Sequence, residues 1–206
     1  MKNLDLSLYL VTDKSDDVEK FLNTIEEAMK GGVTVVQIRE KTAETIDFYN
    51  LALKVKEITA KYNVPLIIND RVDVALAIDA DGVHVGQSDM PCDVTRRLIG
   101  EDKILGVSAA TIDEAKKAQK DGADYIGSGA VFSTATKDDA PSITKKDLKE
   151  IVESIDIPVV AIGGINLKNA CELTDTGIAG LSVVSAIMSA DNPKKASEEL
   201  LKIFNS

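Results

Sequence analysis

The chain has 206 residues, of which 44% are hydrophobic and 28% charged, a composition that fits one globular domain with a substantial core, so we expect residues 1–206 to form a single domain. The formal net charge is -10 and no block of basic residues occurs, which argues against a nucleic-acid binder, because such proteins cluster Lys and Arg to displace counterions. No apolar run approaches the roughly 20 residues of a membrane span and none resembles a signal sequence, so we expect no membrane association and a cytoplasmic location.

Short apolar runs alternate with longer segments of helical periodicity along the chain. Eight runs predict strands, over residues 6–11, 33–39, 65–69, 82–85, 103–108, 123–128, 157–163 and 179–184. Five intervening segments predict helices, over residues 18–32, 45–63, 111–122, 143–155 and 193–204. The segments after residues 70 and 90 are shorter, and the pattern leaves their helix boundaries open.

Three segments repeat the same order of features: "AMKGGVTVVQIR", "AQKDGADYIGSG" and "LTDTGIAGLSVV". Each one ends a helix, has a glycine at or near the helix C-cap, and then enters a buried strand. Apolar strands that alternate with helices are typical of a parallel sheet covered by helices. Eight such units suit an open doubly wound sheet or a closed barrel. Because no GxGxxG motif follows the first strand, we predict the α/β class and a single-domain (β/α)8 TIM barrel.

Polar residues at the ends of the predicted strands are the candidate site residues, because the reaction site of a (β/α)8 barrel lies at the carboxyl ends of its strands. Side chains alternate along a strand, so placing Ile38 of "VTVVQIREK" against the helices turns Gln37 and Arg39 inward, with Lys41 on the same side. The other strand ends and the loops after them contribute Asn69, Asp70, His84, Asp89, Ser108, Thr134, Thr136, Lys137, Gly163, Gly164 and Ser185.

Charge divides these candidates into two groups. Arg39, Lys41 and Lys137 are cations suited to a polyanion, and Asp70 and Asp89 are hard oxygen donors suited to a magnesium ion that also binds phosphate oxygens. Together they predict a diphosphate site.

A second anion site is predicted after the seventh and eighth strands. There the pair Gly163 and Gly164 and the backbone amides of "VVSAI" are typical of the phosphate site that barrels build from these two loops. Two anion sites indicate two phosphorylated small-molecule substrates.

A family resemblance rests on an ordered set of motifs: "VQIREK", "IINDRVDVALAIDADGVHVGQSDMP", "ILGVSAAT", "ADYIGSGAVFSTATK", "VVAIGGI" and "GLSVVSAI". From about residue 8 to residue 190, the chain resembles the thiamine-phosphate synthase family, also called thiamine-phosphate pyrophosphorylase. The resemblance implies a (β/α)8 transferase that joins hydroxymethylpyrimidine diphosphate to hydroxyethylthiazole phosphate with Mg²⁺ and releases pyrophosphate. The implied mechanism is dissociative: pyrophosphate leaves first, the aminopyrimidine stabilises the cation, and the thiazole nitrogen then attacks. Such chemistry needs no protein nucleophile.

The resemblance also implies roles for individual residues. Those implied to hold the pyrimidine diphosphate are Gln37, Arg39, Lys41, Asn69, His84, Ser108 and Lys137, and those implied to act in catalysis are Arg39, Lys41, Lys137 and Ser108. Those implied to bind the thiazole phosphate are Thr134, Thr136, Gly164, Val184 and Ser185. Asp70 and Asp89 are the implied magnesium ligands. His84 is assigned to pocket shape rather than to proton transfer.

Several of these residues have a plain structural alternative. Asp70 and Asp89 are each placed to cap the helix that follows, Arg39 is placed to pair with Glu40 or Asp70, and the glycine pair after the seventh strand is compatible with a simple turn.

The sequence departs from the family pattern at two positions of the long loop after the sixth strand. Ala130 stands where the family has proline and Ser142 where glycine is common. The sequence therefore does not predict whether this loop closes over the substrates. The oligomeric state is also open, and a homo-oligomer is compatible with the sequence. Two other functions remain as alternatives: a thiazole tautomerase of the same superfamily, and a non-catalytic barrel that senses a thiazole or pyrimidine phosphate.

Overall fold

The structure is a computed structural model, and it describes residues 4–14, 16–133 and 142–206. Within these residues eight parallel strands form a closed barrel in which each strand pairs with the next and the eighth pairs with the first. The strands are β1 Leu8–Val11, β2 Val35–Ile38, β3 Leu66–Asn69, β4 Gly82–Val85, β5 Ile104–Ser108, β6 Tyr125–Ser128, β7 Val159–Ile162 and β8 Gly180–Val183. The predicted (β/α)8 barrel is confirmed, and each observed strand lies inside its predicted run.

Helices cover the outside of the barrel, and the five predicted ones are present. The α-helices of the described residues are α1 Val18–Lys30, α2 Thr45–Tyr62, α3 Val72–Ala77, α4 Cys92–Ile99, α5 Ile112–Lys120, α6 Lys145–Ser154, α7 Ser185–Met188 and α8 Pro193–Phe204. A 3-10 helix, Ala170–Leu173, lies between β7 and β8. Ser185 opens the short α7, and the chain turns again before the last helix, α8, because Asn192 caps a new helix at Pro193.

Helix starts agree with local capping chemistry. Asp17 accepts a hydrogen bond from the Lys20 amide at 3.0 Å before α1, and Asn192 accepts one from the Lys195 amide at 2.9 Å before α8. Thr144 and Asp147 form a reciprocal capping box at α6.

The repeated glycines close helices as the sequence predicts. Each repeat contains a glycine with a positive φ between the helical segment and the next strand, at Gly32, Gly122 and Gly177. This conformation strains residues that have a Cβ, so the repeats preserve the turn that sends the chain back into the barrel.

The strands carry two apolar layers because their side chains alternate. One layer packs between the strands and the helices, and it includes Leu10 and Ile38. The other fills the barrel interior with residues such as Tyr9, Ile67 and Tyr125. Ile38 therefore packs outward as predicted, which turns Gln37 into the barrel. None of the helices in the described ranges is long and apolar enough to cross a membrane.

Arg96 on α4 ties together the turns that lead into β5 and β6. Its side chain is 9% exposed and its guanidinium donates to the carbonyls of Gly100, Lys103 and Gly122 at 2.7–3.0 Å. It also binds Asp124 Oδ2 at 2.7 Å. These turns precede the strands, so the cluster lies at the end of the barrel opposite the strand termini that carry the site candidates.

We predict that Arg96→Met lowers the free energy of unfolding by about 3 kcal/mol, because it removes the hydrogen bonds of a buried guanidinium to three backbone carbonyls and its ion pair with Asp124. The measurement is urea unfolding, with a lower midpoint and an unchanged slope as the expected result. Arg97→Met is the matched control, since the neighbouring Arg97 side chain is 73% exposed and should change the midpoint little. Equal midpoints for the two variants would contradict the role given to Arg96.

Candidate active site

A cavity of about 390 Å³ opens at the carboxyl ends of the strands. It brings together every predicted site residue that the structure describes: Gln37, Arg39, Lys41, Asn69, Asp70, His84, Asp89, Ser108, Gly163, Gly164, Val184 and Ser185. Thr134, Thr136 and Lys137 lie outside the described residues. Strands β2 to β5, β7 and β8 or the loops that follow them thus contribute to one mouth, as the barrel topology requires.

One side of the mouth combines cations with two carboxylates. Lys41 Nζ lies 3.8 Å from Asp70 Oδ2. Asp89 Oδ2 accepts a hydrogen bond from the Gly86 amide at 2.8 Å, which fixes this carboxylate in the loop after β4. Asp70 has a φ of 60°, a left-handed conformation that Asp tolerates better than most residues, and its amide donates to the His84 carbonyl at 2.8 Å.

The close approach of the two carboxylates perturbs the pKa of Asp70. Burial raises it first, and the side-chain hydrogen bond and charge repulsion from Asp89 raise it further, against the opposing charges of Lys41 and Arg39. The resulting pKa of Asp70 is about 6. Two acidic groups that are hard to ionise together are a favourable place for a divalent cation, because the cation removes the repulsion.

The structure excludes the capping alternative for both carboxylates. The N-cap residue of α3 is Arg71 and that of α4 is Pro91, and neither makes a side-chain capping hydrogen bond. No carboxylate in the described part of the chain forms an ion pair with Arg39, whose half-buried side chain lines the cavity. Both carboxylates and Arg39 therefore line the cavity, although Asp89 also accepts the Gly86 amide and Asp70 lies beside Lys41.

The other side of the mouth is formed by the loops after β7 and β8. Gly163 and Gly164 have φ angles of 101° and 65°, so this pair is a turn that favours glycine as well as part of the cavity wall. A Cβ at Gly164 would lie 2.5 Å from the Ser133 carbonyl. Asn166 and Asn169 donate to the Gly164 carbonyl at 3.1 and 3.0 Å and hold the turn in place.

The floor of the cavity contains a buried polar cluster whose two tyrosines the sequence analysis missed. Tyr9 and Tyr125 contact each other through their hydroxyls at 2.6 Å, although β1 and β6 are not neighbours in the barrel. Gln37 donates to the Tyr9 hydroxyl at 2.7 Å, and His84 lies between the Tyr125 hydroxyl at 3.0 Å and Ser108 Oγ at 2.9 Å. Burial raises the pKa of both tyrosines well above the usual value, so their hydroxyls stay protonated.

Four further polar residues reach the cavity without having been assigned to it: Gln87, Ser88, Glu114 and Ser182. Gln87 donates to the Ser108 carbonyl at 2.7 Å, and Glu114 accepts from the Ala110 amide at 2.7 Å. Ser88 lies beside Asp89 in the same loop. The tyrosines had a signal in the sequence, since Tyr9 and Tyr125 both occupy inward positions of short apolar strands. Glu114 had none, because a glutamate in the first turn of a helix is common.

The carboxylates of Asp70 and Asp89 are the candidate metal ligands at this mouth. The described residues contain no cluster of three or more His, Cys, Asp or Glu side chains that would hold a metal alone. Magnesium in enzymes of phosphorylated substrates is bound by one or two carboxylates together with substrate phosphates and water. Asp70 and Asp89 fit that requirement: burial, and after it the hydrogen bond and charge of Asp89, raise the pKa of Asp70, and a bound cation would oppose this rise.

A closed parallel barrel with cations, paired carboxylates and a glycine turn at the carboxyl ends of its strands belongs to the class of (β/α)8 enzymes. A family model described as thiamine monophosphate synthase matches residues 8–187. The chain therefore belongs to the thiamine monophosphate synthase family and is an enzyme, a transferase of thiamine biosynthesis. The family resemblance and the transferase activity predicted from the sequence are both confirmed.

Individual relatives cover nearly the whole chain. The thiamine-phosphate synthase of Methanobrevibacter smithii is 76% identical over 206 residues, which cover 100% of this chain and 99% of that protein. The thiamine-phosphate synthase of Ruminiclostridium cellulolyticum is 58% identical over 202 residues, with 98% and 96% covered. The solved structure of thiamine phosphate pyrophosphorylase from Pyrococcus furiosus has a TM-score of 0.88 at 43% identity and covers 98% of this chain and 96% of that one.

We predict that Asp70→Asn stabilises the metal-free protein at neutral pH. The pKa of Asp70 rises from 3.8 to about 6 on folding, so Asp70 favours the folded state most below pH 3.8, and this contribution is lost as pH rises through about 6. The melting temperature of the variant should equal that of the wild type near pH 4 and exceed it by about 3 °C at pH 7.5. Thermal melts in EDTA measure both.

Asp73→Asn serves as the control of opposite sign, because hydrogen bonds from Arg71 lower the pKa of Asp73. It should not raise the melting temperature at pH 7.5. A melting temperature of Asp70→Asn that stays at or below the wild-type value at both pH values would contradict the repulsion between Asp70 and Asp89.

Proposed function

We propose that the enzyme joins hydroxymethylpyrimidine diphosphate to hydroxyethylthiazole phosphate, releasing pyrophosphate and forming thiamine phosphate, with Mg²⁺ as its cofactor. The single observation that carries this proposal is the division of one mouth into a cation and carboxylate side and a glycine-turn side, which supports two phosphorylated substrates facing each other. The family membership and the near-complete coverage of named relatives support the same reaction.

The diphosphate half is assigned to Arg39, Lys41, Asp70 and Asp89, with Lys137 expected there as well. Arg39 and Lys41 place positive charge where the leaving pyrophosphate develops negative charge, which lowers the barrier to its departure. A magnesium ion held by the two carboxylates would supply further positive charge to the leaving group. Because Lys41 and Asp70 already lie 3.8 Å apart, little rearrangement is needed to form a charge-balanced site.

The pyrimidine ring is assigned to the floor of the cavity. Gln37, Asn69 and His84 are each at most 8% exposed and turn polar atoms inward, and the tyrosine pair lies beneath them. A ring held against this surface is shielded from water, which protects a cation formed when pyrophosphate leaves first. Among the described residues the cavity needs no nucleophile for this dissociative route, because the attacking atom belongs to the second substrate.

The thiazole phosphate half is assigned to Gly164, Val184 and Ser185, with Thr134 and Thr136 expected there from the family resemblance. Backbone amides in a glycine turn bind phosphate oxygens without a bulky side chain in the way. Gly164 follows β7 and Ser185 follows β8, two neighbouring strands that the closed strand order places across the barrel from β3 and β4, which carry the carboxylate pair. This arrangement would direct the thiazole nitrogen towards the pyrimidine.

The test is to incubate the purified protein with both substrates, in Mg²⁺ or in EDTA, and to follow thiamine phosphate by mass spectrometry. Product that forms only with Mg²⁺ is the expected result. No product in either condition, from protein that still binds hydroxyethylthiazole phosphate, would contradict the proposal and favour the tautomerase or sensor alternative, in which the carboxylate pair has no task.

We predict that Asp70→Ala and Asp89→Ala each lower kcat at least a hundredfold while the affinity for hydroxyethylthiazole phosphate changes less than about twofold. The reason is that only the diphosphate half uses the carboxylates. Steady-state kinetics and calorimetric titration measure the two quantities. Asp93→Ala, at an exposed carboxylate on α4, is the matched control and should leave both unchanged. An equal loss of thiazole phosphate affinity in the two site variants would count against separate halves.

We predict that Ser185→Asp raises the apparent KM for hydroxyethylthiazole phosphate about tenfold, because a carboxylate there repels the phosphate. The KM for the pyrimidine diphosphate should change much less. Ser189→Asp, at an exposed position four residues further on that does not line the cavity, controls for the added charge. An unchanged KM in Ser185→Asp would show that the thiazole phosphate binds elsewhere.

A further inference from the structure

A chain of hydrogen bonds crosses the barrel interior beneath the cavity and ends at Ser108. It begins at Gln37 on β2, passes through the hydroxyls of Tyr9 and Tyr125, and continues through both ring nitrogens of His84 to Ser108 Oγ. The four links measure 2.7, 2.6, 3.0 and 2.9 Å. Five strands thus contribute to one continuous chain, and each link has a donor and an acceptor that can be worked out.

The donor and acceptor of each hydrogen bond in this series follow from Gln37 at its buried end. Gln37 Nε2 is an amide nitrogen and only donates, so the Tyr9 oxygen accepts this bond. The Tyr9 proton then points to the Tyr125 oxygen, which is the acceptor that the described residues place beside it. With the opposite direction, Tyr125 would donate to Tyr9 and leave the Tyr9 proton buried without an acceptor, which costs free energy.

The position of the proton on the His84 imidazole follows from the same donors and acceptors. Tyr125 accepts from Tyr9 and keeps its own proton, because burial raises its pKa well above the usual value. That proton is available to His84 Nδ1 at 3.0 Å, so Nδ1 is the acceptor. A neutral imidazole that accepts at Nδ1 carries its proton on Nε2, which then donates to Ser108 Oγ at 2.9 Å.

We infer that Tyr125 is a positioning residue that holds the proton of His84 on Nε2 and thereby makes Ser108 a hydrogen-bond donor to the substrate in the cavity. Because Ser108 Oγ accepts from His84, its own hydroxyl proton is left to donate into the mouth that this residue lines. The group it meets must be an acceptor, such as a phosphate oxygen or an unprotonated ring nitrogen. That identity rests on the proposed function, whereas the direction of the chain does not.

The strands leave room for this chain by omitting side chains at two inward positions. A Cβ at Gly106 on β5 would lie 2.1 Å from Tyr125 Cζ and 2.5 Å from His84 Nδ1. A Cβ at Gly127 on β6 would lie 3.1 Å from His84 Cε1. The contact between Tyr125 and His84 therefore requires glycine at position 106, because any larger side chain there would clash with both rings.

Nuclear magnetic resonance tests the direction of the chain without any substrate. His84 is the single histidine of the protein, so a long-range ¹H–¹⁵N spectrum at about pH 8 shows one imidazole. We expect a protonated Nε2 and an unprotonated, hydrogen-bonded Nδ1 in the wild type. Tyr125→Phe should shift the Nδ1 resonance by removing its hydrogen bond from the Tyr125 hydroxyl, and Tyr9→Phe should shift it much less. A proton on Nδ1 in the wild type, or an unmoved Nδ1 resonance in Tyr125→Phe, would overturn the inference.

A double-mutant cycle tests the consequence for turnover. Tyr125→Phe keeps the ring and removes the hydroxyl, so it should lower kcat about tenfold, the rate equivalent of one hydrogen bond. In a Ser108→Ala background the same change should lower kcat less than about twofold, because the donor it orients is gone. Equal losses in both backgrounds would mean that Tyr125 acts on the substrate or on folding instead. If the wild type forms no thiamine phosphate, the proposed function fails, and the His84 resonances still decide the direction of the chain.

Discussion

The charge repulsion between the neighbouring carboxylates of Asp70 and Asp89 sets the electrostatics of the whole site. The closed barrel brings the loops after β3 and β4 together, and it holds both carboxylates where burial and mutual charge make them hard to ionise together. Neither carboxylate caps the helix that follows it, and the hydrogen bond from the Gly86 amide accounts for the position of Asp89 but not for Asp70 beside it. Two neighbouring carboxylates that are difficult to ionise together are typical of a site for a cation and for the anionic substrate that accompanies it.

The floor of the cavity, beneath this mouth, is built from polar side chains without carboxylates or cations. Two protonated tyrosines, a glutamine and a histidine satisfy one another inside the barrel, and every buried polar side-chain atom among the described residues has a partner. Glycines at inward positions of β5 and β6 make the space for these rings. The charged side chains therefore lie at the mouth and the hydrogen-bonded rings at the floor, a combination suited to holding a ring in place while a charged group departs from it.

The fold was predictable because its signals are local: alternating apolar residues give strands, glycines end helices, and Ile38 facing outward turns Gln37 inward. Asp70 and Asp89 were predictable as a pair because consecutive parallel strands end side by side. The contact between Tyr9 and Tyr125 was not, since it joins strands that are not neighbours and depends on the barrel's diameter. Roles at Thr134, Thr136 and Lys137, the single-domain organisation and the cytoplasmic location stay predictions.

Equilibrium binding of each ligand, measured by calorimetry with and without Mg²⁺, tests most directly whether the mouth has two independent halves. We expect pyrophosphate to bind only when Mg²⁺ is present, because Asp70 and Asp89 otherwise repel it, and hydroxyethylthiazole phosphate to bind equally well in Mg²⁺ and in EDTA. Pyrophosphate binding of the same affinity in EDTA, or thiazole phosphate binding that requires Mg²⁺, would contradict this expectation.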